Sequence, residues 1–222
     1  MNKDITAVVP VKGASERVKG KNIRPFHDTN LFELKLDQLK GVKGFDRIIV
    51  SSESEGILET ARKKGFGTHA RDPRYSTSDV PMSDVYSYIA SEVPGEHIAW
   101  VNVTNPLAGT DVYEKAASLY RDMGKEHDCL LSVYEVKDYI FYKGEPVNFK
   151  PSPWPKSQDL EGMYALPFVV NILRREDMVR WGSCVGEKPY FYVLDRLTAM
   201  DVDWQEDFDF CEMIYKKRLG NA

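Results

Sequence analysis

Short apolar runs rich in β-branched residues alternate with amphipathic segments of helical period along almost the whole chain, and few folds satisfy that rhythm. Ile5 to Val11 reads as a buried strand, and Arg47 to Val50 as the next. His97 to Val103, Cys129 to Val136, Leu166 to Ile172 and Tyr190 to Leu194 read as further strands. Between them, Leu31 to Lys40 places apolar residues at 31, 32, 34, 36 and 39 on roughly one helical face, with Asp28 to Asn30 as caps. Ser54 to Lys64 reads as a helix stopped by Gly65, and Pro81 to Val93 as another. Asp111 to Met123 is expected to be a helix closed by Gly124, and Gln205 to Arg218 the last one. Strands that alternate with helices predict an α/β fold, with a parallel or mostly parallel sheet covered on both faces.

At 222 residues with 42% hydrophobic content, the chain can fill a single core, so one domain over 1–222 is expected. Lys137 to Glu161 breaks the rhythm with Pro146, Pro151, Pro153 and Pro155 and several aromatics. It is too long for an ordinary connection. It is expected either as a surface excursion or as a β-arm that covers the active site or meets a second subunit. Thirty basic against 34 acidic residues give a formal charge of −4, which argues against a general nucleic-acid binder. No apolar run approaches the ~20 residues that cross a bilayer, and Met1 to Asp4 opens no leader-like stretch. Cys129, Cys184 and Cys211 are far apart and form neither a metal-spacing motif nor a disulfide framework. A reducing cytoplasm is the expected compartment.

Three segments could carry chemistry. The first follows the first strand, from Val9 to Asn22, where Lys12, Arg17, Lys19 and Lys21 fall inside ten residues interleaved with Gly13 and Gly20. In open α/β sheets the carboxyl end of a strand is where ligands bind, and a basic, glycine-bearing loop there suits a polyphosphate. The spacing matches neither the Walker A pattern nor the dinucleotide fingerprint. The second is Asp201-Val202-Asp203, whose alternate side chains share one side of an extended segment. Two hard oxygen ligands there suit Mg²⁺ completed by substrate phosphates. The third is Asn102 to Leu107, whose amides and hydroxyl at a strand end could read a nucleobase. Each has a plainer account as well: a solvated basic loop, a helix cap at Asp203, and an Asn/Thr-stabilised turn.

Pro10, Gly13, Ser15, Arg17, Gly20, Lys21 and Asn22 resemble the N-terminal signature of the CMP-sialic acid synthetase (acylneuraminate cytidylyltransferase) family. Val50 to Glu55, Arg71 with Tyr75 to Asp84, Asn102 to Leu107 and Met200 to Asp207 are similar to that family's later motifs, in the same order. The resemblance implies a three-layer α/β/α Rossmann-like nucleotidyltransferase fold, a mixed and mostly parallel sheet, and a homodimer formed through an inserted arm at about 137–161. It implies transfer of CMP from CTP to a small acidic sugar, sialic-acid-like or another 2-keto-3-deoxy acid, releasing pyrophosphate for surface glycan biosynthesis. Arg17 and Lys21 would then be catalytic, holding the triphosphate. Lys12, Gly13, Ser15, Asn22, Arg71, Ser83, Asn102 and Thr104 would bind CTP, Gln158 would face the acceptor, and Asp201 and Asp203 would hold Mg²⁺. Several positions depart from the pattern: Lys12 replaces an arginine, Ala14 a glycine, Glu16 a lysine and Asn102 a glutamine, and Tyr164 to Phe168 replaces an acceptor-side segment. The nucleotide end is thus retained better than the acceptor end. The alternatives are a same-fold nucleotidyltransferase with a phosphosugar, phosphonate or other acceptor, and a catalytically silent nucleotide-binding protein.

Overall fold

The computed structural model describes residues 3–13, 18–160 and 162–220. Its elements in chain order are β1 (Ile5–Pro10), α1 (Leu31–Lys40), β2 (Arg47–Ser52), α2 (Glu55–Lys63), β3 (Gly67–Ala70), α3 (Met82–Glu92), β4 (His97–Trp100) and α4 (Thr110–Asp122). They continue with β5 (Cys129–Glu135), β6 (Phe141–Tyr142), β7 (Glu145–Pro146), β8 (Tyr164–Ala165), β9 (Asn171–Arg174), α5 (Arg175–Trp181), β10 (Pro189–Leu194) and α6 (Gln205–Gly220). The main sheet runs β10-β5-β9-β4-β1-β2-β3, with β8 added on β5. β1 pairs in parallel with both β2 and β4, as do β2 with β3 and β5 with β10. β9 runs antiparallel between β4 and β5, which makes the sheet mixed.

Strand periodicity builds the three layers. Ile5, Ala7 and Val9 of β1 point to one face, where they meet Phe32, Leu36 and Leu39 of α1, Ile57 of α2 and Tyr113 and Ala116 of α4. Val8 points to the other face and joins Ile98 and Trp100 of β4 beneath Val85 and Ile89 of α3 and Met178 of α5. A third cluster, including Phe26, Leu31, Leu34, Val202, Phe208 and Cys211, seats α6 against α1. Fully burying side chains of this kind contributes about 1.5–3 kcal/mol each. Asn30 caps α1 as expected, its side chain accepting from the Glu33 amide. Gly65 takes the left-handed conformation, φ +86°, that stops α2.

The strand expected from Leu166 to Ile172 is instead two pieces, β8 before it and β9 at its end. Pro167 lacks a ladder donor, and Phe168 takes a positive φ of 55°, so no strand can run through them. The arm contains the small hairpin β6–β7. Lys143 and Gly144 both have positive φ, 52° and 88°, as a two-residue type I′ turn requires. Its aromatic rings pack on one another, with Tyr139 and Phe149 centroids 5.1 Å apart and Tyr139 and Trp154 4.9 Å apart.

Candidate active site

The chain leaves the sheet together at the carboxyl ends of β1 and β4, which pair in register at Val8 and Trp100. A cavity of about 630 Å³ opens there. Lys12, Lys21, Asn22 and Arg71 line it, together with Asp201 and Asp203 from the chain before α6. Asn102 and Thr104, just past β4, form part of the floor. Met82, Val85, Tyr86, Trp100 and Phe168 make the apolar remainder.

The basic loop is pinned at its ends. The Asn22 side-chain amide donates to the Lys12 carbonyl at 3.0 Å, tying positions ten residues apart. The Gly13 amide donates to Glu53 Oε1 at 2.7 Å. A Cβ at Gly13 would lie 3.1 Å from the Ser54 Cβ, so the close approach of this loop to β2 favours glycine. Glu53 Oε2 accepts from Arg71 at 2.9 Å and from the Ser76 hydroxyl at 2.8 Å. Burial raises the Glu53 pKa, but the hydrogen bonds from Gly13, Ser76 and Arg71 outweigh it and hold the carboxyl below its ordinary value. Burial lowers the Arg71 pKa, opposed by Glu53.

Arg71 is 3% exposed, and it also donates to the Val11 carbonyl at 2.6 Å. Its Nη2 thus makes both contacts that hold the loop, while the side chain also lines the cavity. Lys21 donates to the Val202 carbonyl, and its Nζ lies 3.8 Å from Asp203 Oδ1. The Val202 amide donates to the Thr104 carbonyl at 2.8 Å. That bond and the burial of Val202 leave Asp201 and Asp203, one residue to either side, on the cavity wall. The Asp207 carboxylate accepts from the amides of Asp203 and Trp204 at 3.0 and 2.8 Å, ordering the entry to α6.

Lys12, Lys21, Asn22, Arg71, Asn102, Thr104, Asp201 and Asp203 are thus brought together, and Gly13 shapes the loop beside them. Two of the expected residues stand elsewhere. Ser83 lies on the first turn of α3 facing α5, where its Cβ is 3.0 Å from the place a Gly182 Cβ would occupy. Gln158 is exposed on the arm and is absent from the cavity wall. Ser15 and Arg17 lie outside the described residues. Tyr86, Trp100 and Phe168 were not anticipated as lining residues. Their apolar character reads as core in the sequence, and only the local geometry turns them toward the cavity.

A family profile described as "Cytidylyltransferase" matches residues 6–219. The chain belongs to the cytidylyltransferase family. This cytidylyltransferase is 23% identical over 230 residues to post-translational flagellin modification protein B of Campylobacter coli, covering 97% of this chain and 96% of that protein. It is 25% identical over 237 residues to the pseudaminic acid cytidylyltransferase of Campylobacter jejuni subsp. jejuni serotype O:2, covering 97% of each. Its fold superposes on that of CMP:2-keto-3-deoxy-manno-octonic acid synthetase complexed with CTP with a TM-score of 0.70 at 10% identity, over 97% of this chain and 99% of that one. The mixed Rossmann-like sheet expected of the cytidylyltransferase is present, and among the described residues no helix is long and apolar enough to cross a membrane.

Proposed function

We propose that this cytidylyltransferase transfers CMP from CTP to a small acidic sugar of the sialic-acid-like or 2-keto-3-deoxy class, in the cytoplasm, for surface glycan biosynthesis. The observation that carries the reading is the cavity, which Lys12, Lys21, Asn102, Asp201 and Asp203 line together, with Lys21 Nζ 3.8 Å from Asp203 Oδ1. A relative of near-equal length named for pseudaminic acid supports an acidic acceptor.

The acceptor hydroxyl oxygen attacks the α-phosphorus of CTP. A new P–O bond forms, the bond from the α-phosphorus to the bridging oxygen breaks, pyrophosphate departs, and the hydroxyl proton is lost to solvent. Lys21, with Arg17 from the same loop, offsets the charge that grows on pyrophosphate. Lys12 and the Gly13 segment hold the triphosphate, and Asn102 stands where the base would be read. Asp201 and Asp203 fit Mg²⁺ by the chemistry of their donor set: two carboxylates that supply hard oxygens lining the same cavity as the cations that would hold the phosphates. When bound there, the ion would neutralise phosphate charge.

Pyrophosphate release should be measured with CTP and Mg²⁺ against a panel of 2-keto-3-deoxy sugar acids, phosphosugars and phosphonates. Release with a sugar acid supports the reading. Release only with a phosphorylated or phosphonate acceptor overturns the acidic-sugar assignment, and silence with all of them favours a nucleotide-binding protein. CTP with Mg²⁺ should also raise the melting temperature more than UTP, ATP or GTP does.

A further inference from the structure

Lys35 is the conspicuous buried ionisable group away from the cavity. It lies on α1 and is fully inaccessible, and among the described residues no charged group offsets its burial. Its Nζ donates to the Asn105 carbonyl at 2.9 Å and to the Tyr113 hydroxyl, and stands 4.7 Å from the Tyr113 ring centroid. Burial pushes its pKa well below the ordinary lysine value. A fully buried amine with no charged partner is a poor device for stability. Its contacts indicate another use.

Asn105 is also fully buried. Its Nδ2 forks to two carbonyls, Pro167 at 3.1 Å and Met200 at 3.3 Å. Those carbonyls immediately precede Phe168 and Asp201, two cavity-lining residues from distant parts of the chain. Phe168 holds a left-handed backbone, φ 55°, that a bulky residue rarely adopts, so its surroundings must fix it. The Asn105 Oδ1 is buried with no hydrogen-bond partner, so the donor end sets the orientation of the amide. Thr104, the preceding residue, accepts from Val202 between the two aspartates.

We infer that Lys35 and Asn105 are positioning residues: Lys35 clamps the β4 exit loop to α1, and the Asn105 amide sets the spacing between Phe168 and the Asp201–Asp203 carboxylates. The catalytic part of this inference rests on the proposed function. The tether itself does not.

The test compares Lys35→Met, which keeps apolar volume and removes the amine, with Asn105→Ala. In the apo protein, amide hydrogen exchange over 166–170 and 199–204 should rise roughly tenfold in both variants, while the central β1 amides stay protected. Lys35→Met should melt within about 3 °C of the parent protein, because relieving the desolvation of a buried amine offsets the lost hydrogen bonds. Its turnover should nevertheless fall about tenfold, with a higher half-saturating Mg²⁺ concentration and a CTP KM within about threefold of the parent value. Exchange at the parental rate in both segments overturns the inference. So does a loss of turnover that follows only the loss of folded protein as temperature is raised. If the parent protein releases no pyrophosphate with any acceptor, the proposed function fails, and the exchange data alone decide whether the tether stands.

Discussion

Glu53 gathers three segments of the cavity rim through one carboxylate: Gly13 from the basic loop, Arg71 after β3 and Ser76 beyond it. Its folded-state pKa lies below the ordinary value, so protonating it costs more in the folded state. The stabilisation is therefore fully present above the ordinary glutamate range and is lost as pH falls through and below it. Glu53→Gln should lower the melting temperature at neutral pH, the loss of stability being no more than the roughly 3–5 kcal/mol of a broken buried pair. The gap from the parent protein should narrow as pH drops below about 4.5, the unfolded value. A pH-independent gap would contradict this account. Lys21→Ala should reduce kcat/KM more than about tenfold in a folded protein, because a charged phosphate contact is worth on the order of 1.5–3 kcal/mol. Near-parental kcat/KM would remove Lys21 from the site. Asp203→Asn separates the metal role from the cap, since Asn caps as well as Asp does. It should cripple Mg²⁺-dependent turnover with apo melting unchanged or slightly raised, and full activity at ordinary Mg²⁺ would leave only the cap.

At the scale of elements, legibility followed how local each signal is. α1 appears where its apolar period and Asn30 place it, because cap and stripe are both encoded within a few residues. Asn30 also donates to the Glu33 carboxylate at 2.9 Å, closing a reciprocal cap. Asn30→Ala should therefore cost about 1 kcal/mol, read as a fall in melting temperature of about 2–4 °C; an unchanged midpoint would show that the cap contributes nothing. β3 and α5 were not anticipated: one is four residues long, and the other follows β9 with no intervening loop. The basic loop and the Asp201–Asp203 pair were legible because charge spacing along the chain announces them. The Glu53 hub was not, because its partners are 40, 18 and 23 residues away and meet it only when β1 and β2 pair. The antiparallel β9 is likewise a product of topology, since the same apolar run would satisfy either strand direction.

For the whole molecule, the open question of association centres on the arm and the β10 edge of the sheet. Phe141, Tyr142 and Trp154 are 59%, 65% and 59% exposed, although they belong to a stretch whose aromatic rings otherwise pack tightly. β10 is one of the two outer strands, and its Phe191 and Val193 are 42% and 51% exposed on alternate positions. Tyr164 of β8 reaches Phe191 with ring centroids 5.1 Å apart, so the apolar surface extends from the base of the arm to the sheet edge. Large exposed apolar side chains gathered near one edge mark an interaction surface, and the open side of an outer strand invites a partner. Pairing two copies about a two-fold axis would cover the same patch on each. Light scattering at micromolar concentration should therefore give twice the 25.4 kDa chain mass. Trp154→Glu combined with Phe191→Glu should shift the species toward monomer, because each placed charge would have to be desolvated at the interface. Since neither residue lines the cavity, CTP should still raise the melting temperature of the monomeric variant. A monomeric mass for the parent chain would refute the dimer, and a dimer unmoved by the double substitution would place its interface elsewhere.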